Sequence, residues 1–155
     1  MPRNSRHRFT HYRVTLRDAL QAHDEALQFG GLAGVQNLGL VESAIARPYS
    51  GYCRTISKKA AALTHSLAKN HGFLDGNKRT ALVVATLLIT RSGYELVAVK
   101  NDIGEEIESM ILDVVVDRMA IDGVEAWFKA RIKPPNWIRA LLRPKATILR
   151  RKKKR

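Results

Sequence analysis

The 155-residue chain has a single cysteine, Cys53, which rules out an internal disulfide. Its longest apolar run covers residues 81–90. A membrane-spanning helix needs about 18 apolar residues or more, so this run has the length of a buried core helix instead. No apolar segment follows the basic residues at the start of the chain, which argues against a signal peptide. We therefore expect a cytoplasmic protein without a redox framework.

Acidic residues are missing from both ends of the chain. Residues 1–17 hold five Lys/Arg and residues 129–155 hold twelve, whereas residues 18–128 carry a net charge of −4. The overall charge of +13 therefore comes from the two ends. Clustered Lys/Arg can neutralise nucleic-acid phosphates without reading their sequence, so a nonspecific nucleic-acid contact through residues 136–155 stays open. No interleaved aromatic residues accompany the cluster, and this favours a solvated tail.

The length and an apolar content of 45% predict one folded domain, placed at residues 1–135, followed by a basic tail at residues 136–155. The apolar spacing predicts an all-α fold of six or so helices, with at most a small β element near residues 94–99. Residues 77–91 are predicted as the longest helix, and residues 81–89 are apolar nearly all the way round except for Thr86, which predicts the central, buried helix of a bundle. Residues 58–70 show only a narrow apolar stripe. Thr15 with Asp18, Ser57 and Asp122 are the predicted helix caps.

One stretch between two predicted helices carries chemistry: His71-Gly-Phe-Leu-Asp-Gly-Asn-Lys-Arg79. It ends at a helix N-terminus, where free N–H groups and the helix dipole favour anions. Gly76, Asn77 and Lys78 would supply amides to a bound phosphate. Arg79 would add a guanidinium that matches phosphate geometry.

Two further groups complete this stretch. Asp75 is placed to hold a divalent cation that bridges phosphate oxygens. His71 can accept a proton near neutral pH. Phe73 is better explained as a core residue that anchors the loop. A base, a metal carboxylate and an anion nest within nine residues predict a phosphoryl- or nucleotidyl-transfer site.

The same stretch resembles the signature of the Fic family, His-x-Phe-x-(Asp/Glu)-Gly-Asn-Gly-Arg-x-x-Arg. It is closer still to the Doc variant, in which a lysine precedes the arginine, as Lys78 does here. Leu82 stands where Fic enzymes have the second arginine, and Gln36-Asn37 stands where relatives often have Arg-Asp. Further similar segments extend the resemblance over residues 12–132: residues 31–34, 40–48, 59–63, 66–70 and 123–127.

The resemblance implies a Fic/Doc-like helical bundle and the toxin of a toxin–antitoxin pair. Such a toxin is a kinase that transfers the γ-phosphate of ATP to a hydroxyl of elongation factor Tu and blocks translation. By the same resemblance, His71 is the general base, Asp75 binds magnesium, and Arg79 holds the nucleotide phosphates. The anion hole is formed by Gly76, Asn77 and Lys78. The self-inhibitory pattern Ser/Thr-x-x-x-Glu-Gly/Asn is absent from the chain, so inhibition would come from a separate antitoxin.

Two alternatives remain open at this point. Fic proteins with glycine at the position of Lys78 commonly transfer AMP, so a protein AMP-transferase is the first. A lysine there fills space and adds charge where those enzymes seat their phosphates, which favours γ-phosphate transfer. The second alternative is a non-enzymatic, nucleic-acid-associated basic protein.

Overall fold

The computed structural model describes residues 10–135 and residue 138. Within them the chain forms six α-helices: α1 (Leu16–Leu27), α2 (Leu38–Ala46), α3 (Ile56–Lys69), α4 (Asn77–Arg91), α5 (Ile103–Val115) and α6 (Ile121–Arg131). A 3₁₀ turn at Arg47–Tyr49 follows α2. Strands β1 (Glu95–Leu96) and β2 (Ile132–Lys133) pair antiparallel, with Glu95 opposite Lys133. The prediction of a helical bundle with a small β element is therefore confirmed.

The helix starts follow the predicted caps only in part. Thr15 caps α1 as predicted, and together with Asp18 it forms a capping box, because each side chain accepts a hydrogen bond from the other residue's backbone. Helix α3 is capped by Thr55, whose hydroxyl accepts from the amide of Lys58, so the prediction of Ser57 was wrong. Asp122 lies in the first turn of α6 and does not cap it. An acidic side chain in the first turn still favours the helix through its dipole.

The core is shared between α3 and α4, which corrects the expectation of a single central helix. Most of α3 is enclosed by α2, α4, α5 and α6. Its buried residues are Ile56, Ser57, Ala60, Ala61, Ala62, Leu63, Thr64, Ser66, Leu67 and Ala68. Helix α4 buries residues such as Val84 and Leu88 but leaves Thr86 and Thr90 exposed. Small and hydroxyl-bearing side chains let neighbouring helices approach α3 closely, although they give a weak hydrophobic signal in the sequence.

Glu106 fastens the connection between β1 and α5. Its carboxylate accepts hydrogen bonds from the backbone amides of residues 99, 100 and 101, and from Nε of Arg131 at 2.7 Å. These contacts, led by the amides of Asn101 and Lys100, lower the pKa of Glu106 to about 2. Helix α5 is thereby tied to the end of α6.

The predicted basic tail at residues 136–155 lies outside the described residues, apart from Ile138. Within the described part of the chain, no helix combines the length and the apolar character needed to cross a membrane.

Candidate functional site

The site is built on a loop of residues 71–76, called the motif loop below, which joins α3 to α4. Gly76 is the N-cap of α4 and has φ +72°, a left-handed conformation that side-chain-bearing residues rarely adopt. The amide of Thr80 donates to the carbonyl of Gly76 at 2.8 Å and closes the first helical turn. Because a glycine offers no capping side chain, the first amides of α4 are available to an anion.

The side chain of Asn77 holds the motif loop in shape. Its Nδ2 donates to the carbonyl of Phe73 at 2.9 Å, and its Oδ1 accepts from the amide of Phe73 at 3.0 Å. Phe73 itself is buried, as the sequence predicted. Both polar atoms of Asn77 are therefore engaged within the loop, so its contribution to an anion nest comes from its backbone amide.

Asp75 accepts two backbone hydrogen bonds at the end of the loop. Oδ1 accepts from the amide of Gly76 at 2.6 Å, and Oδ2 accepts from the amide of Leu32 at 3.3 Å. These two bonds, with a smaller contribution from the positive charge of Arg79, hold the pKa of Asp75 below its ordinary value. The carboxylate is therefore ionised at neutral pH, as a metal ligand must be.

The segment between α1 and α2 approaches Asp75 closely at Gly31, which has φ +121°. A Cβ on Gly31 would lie 2.7 Å from Oδ2 of Asp75 and 3.1 Å from Nη2 of Arg79. Arg79 also donates from Nη1 to the carbonyl of Ala26, at the end of α1, at 2.9 Å. The carboxylate and the guanidinium are thus positioned partly by residues that lie more than forty positions earlier in the chain.

His71 and Lys78 are exposed at the two ends of this stretch. His71 has φ +49°, in a left-handed region where histidine is enriched relative to most side chains. An exposed imidazole at this position is accessible to a hydroxyl carried by a large substrate.

A cavity of about 790 Å³ brings all six predicted site residues together. They are His71, Asp75, Gly76, Asn77, Lys78 and Arg79. Other lining residues come from α5, which supplies Ile111, Leu112 and Val115, and from α4, which supplies Leu82. The volume lies in the range of small-molecule and cofactor sites. Polar anion-binding groups combined with apolar side chains suit a nucleotide, whose phosphates and base need these two environments.

The surroundings of Asp75 fit the way proteins bind magnesium. Mg²⁺ is commonly held by one or two carboxylates together with substrate phosphates and water, not by a complete cage of protein ligands. Across residues 10–135, no three His, Cys, Asp or Glu side chains gather closely enough to form such a cage. Asp75, ionised and beside the α4 N-terminus, matches the first arrangement.

Comparison with known proteins agrees with this geometry. Residues 13–89, about half of the chain, match the family model described as Fic/DOC family. The chain is also 42% identical over 79 residues to "Toxin Doc" of Mycolicibacterium smegmatis (strain ATCC 700084 / mc(2)155), an alignment that covers 47% of this chain and 60% of that relative. The chain belongs to the Fic/DOC family. It spans about three-fifths of the length of this curated relative. The predicted resemblance over residues 90–132 lies beyond the family-model match and stays a prediction.

Sequence reasoning missed three parts of the site: Gly31 and Leu32 beside Asp75, the cavity wall formed by α5, and His23 behind the motif loop. The Gly30-Gly31 pair by itself indicates only the end of a helix. The resemblance around residues 31–34 was the available signal for a contact with the site. No local pattern in α5 indicates which of its apolar residues would face a cavity instead of the core.

Proposed function

We propose that this protein is the toxin of a toxin–antitoxin pair, and that it transfers the γ-phosphate of ATP to a hydroxyl of elongation factor Tu, which stops translation. The single observation that carries the proposal is the cavity that gathers His71, Asp75 and the α4 N-terminus. Membership of the Fic/DOC family and the similarity to a protein named Toxin Doc support the toxin role.

In the proposed reaction, the hydroxyl oxygen of the target attacks the γ-phosphorus while His71 accepts the hydroxyl proton. An oxygen–phosphorus bond forms, the bond from the γ-phosphorus to its bridging oxygen breaks, and ADP leaves. The amides at the start of α4 and the guanidinium of Arg79 hold the phosphates and stabilise the charge that develops on them. Asp75 would hold magnesium, which when bound neutralises part of the phosphate charge.

The choice of the γ-phosphate rests on two side chains of the cavity. Lys78 adds a positive charge and bulk at a position where AMP-transferring relatives have glycine. Leu82 lines the cavity where those relatives have a second arginine, so one anchor for phosphates is replaced by an apolar surface. Together they favour a nucleotide that lies in the nest with its terminal phosphate at the reacting position.

The proposal is tested with purified protein, magnesium and elongation factor Tu, incubated with ATP labelled at either the α or the γ position. We expect label on elongation factor Tu from γ-labelled ATP alone. The matched variant Lys78→Gly should weaken γ-transfer, because it removes the charge and the bulk together. Transfer of the α label would establish nucleotidyl transfer and overturn the proposal.

The antitoxin is tested in cells. Expression of this chain alone should arrest growth, and co-expression of a small neighbouring gene should relieve the arrest. Relief without complex formation between the two purified proteins would contradict inhibition by a bound antitoxin.

A further inference from the structure

A buried histidine lies directly behind the motif loop. His23, on α1, is 3% exposed, and its ring stacks on Phe73 with the ring centroids 4.0 Å apart and the planes inclined by 13°. Nδ1 of His23 and Oγ1 of Thr80 share a hydrogen bond of 3.3 Å. A Cβ on Gly76 would lie 3.7 Å from both Nδ1 and Cε1 of this ring. One side chain therefore contacts the loop at Phe73 and the first turn of α4 at Thr80, and it lies beside Gly76.

Packing alone does not account for a histidine at this position. Within the described part of the chain, Nε2 of His23 is buried and has no hydrogen-bond partner, which costs about 1–3 kcal/mol for a typical polar group. Burial also lowers the pKa of His23, so the ring is held in its neutral form. A phenylalanine would stack on Phe73 without burying an unpaired nitrogen. The hydrogen bond to Thr80 is the contact that only the imidazole supplies.

That hydrogen bond acts on the part of the molecule that binds the anion. Thr80 is fully buried, and its amide closes the first turn of α4 on the carbonyl of Gly76. Arg79, which precedes Thr80 in the chain, donates a hydrogen bond to the carbonyl of Ala26 in α1, the helix that also carries His23. Two consecutive residues of α4 are thus fastened to the last turns of α1, and the position of the α4 amides depends on both contacts.

We propose that His23 is a positioning residue for the anion-binding turn at residues 76–80, which it holds in place through Thr80 and Phe73. The inference rests on the proposed function in so far as the anion is a nucleotide phosphate. It predicts that loss of the His23–Thr80 hydrogen bond weakens phosphate binding and transfer while the protein stays folded.

The experiment is a double-mutant cycle with His23→Phe, Thr80→Val and the double variant. His23→Phe keeps the stack on Phe73, and Thr80→Val keeps the shape of a β-branched side chain. Pyrophosphate binding is measured by calorimetry and γ-phosphate transfer by kcat and KM for ATP, with the melting temperature recorded for each protein. His23→Asn is the conservative variant, because its amide places a polar atom close to the position of Nδ1.

We expect each single variant to keep its melting temperature within a few degrees of wild type and to lose about 10–100-fold in kcat/KM, since small displacements of binding groups are costly in transfer reactions. The kcat/KM of the double variant should be no lower than that of the more impaired single variant, because the two substitutions remove the same hydrogen bond. His23→Asn should recover part of the loss. If His23→Phe lowers the melting temperature strongly, the pyrophosphate affinity and the kcat/KM of Thr80→Val alone decide the test.

Pyrophosphate binding separates this inference from the proposed reaction. If wild type binds pyrophosphate and the single variants bind it more weakly, the positioning role stands even when no γ-phosphate is transferred. Wild-type affinity and wild-type transfer in both single variants would overturn it. Losses that multiply in the double variant would also overturn it, as would a wild-type protein that binds no pyrophosphate.

Discussion

Substitution of Gly31 by alanine tests whether the segment between α1 and α2 positions Asp75, the proposed metal ligand. The new Cβ would lie 2.7 Å from Oδ2 of Asp75, whereas ordinary contacts begin at 3.4 Å, so one of the two must move by about 0.7 Å. Gly31→Ala should therefore displace the carboxylate, or push the segment away from it and break its bond to the Leu32 amide. Either movement should weaken the proposed binding of magnesium and the phosphates.

Gly30→Ala is the matched control for this change. Gly30 also has a left-handed backbone, with φ +95°, but a Cβ there would meet nothing within 4 Å. A backbone strain of about 1–3 kcal/mol is common to both variants and lowers the unfolding free energy of each. Only Gly31→Ala adds the contact with Asp75. The difference between the two variants therefore isolates the effect on the site.

The assay compares γ-phosphate transfer at several magnesium concentrations with the free energy of unfolding in urea. A displacement near 1 Å at a reacting group can cost about 100-fold, so we expect Gly31→Ala to lose about tenfold or more in kcat/KM. Part of this loss should be recovered at high magnesium, while Gly30→Ala should transfer at close to the wild-type rate. Equal transfer by the two variants, at equal stability, would refute the positioning of Asp75 by this segment.

Three further predictions concern the base, a structural carboxylate and the tail. His71→Asn, chosen because asparagine also tolerates a left-handed backbone, should lower transfer by about 10²–10⁴-fold without a change in melting temperature, and a variant that still arrests growth like wild type would contradict the base assignment. The pKa of Glu106 is lowered to about 2, so its stabilising contribution is complete above its ordinary value of 4.5 and is lost as the pH falls from there towards 2. Glu106→Gln should therefore melt several degrees lower at pH 7 and lose less stability than wild type between pH 5 and pH 3. If the stability of the variant and that of wild type fall in parallel over this range, the carboxylate of Glu106 has no such stabilising role. Deletion of residues 143–155 should leave transfer intact and reduce the salt dependence of binding to random-sequence DNA, and an unchanged salt slope would place the contact elsewhere.

The bundle could be predicted because its signals are local. The N-cap at Thr15 and the helix at Asn77–Arg91 follow from neighbouring residues, and both are present in the structure. The enclosure of α3 could not be predicted in the same way. Its burial is the sum of contacts with four other helices, and alanine, serine and threonine reveal little of this in a hydrophobicity pattern.

The sequence by itself determined which residues are proposed to carry the chemistry, because His71, Asp75 and Arg79 lie within nine positions and their spacing matches the family signature. Only the tertiary structure decided how those groups are held. It placed Gly31 against Asp75, Ala26 against Arg79 and His23 behind the motif loop. Contacts between residues more than forty positions apart depend on how α1 packs on α4, and no local pattern records that packing.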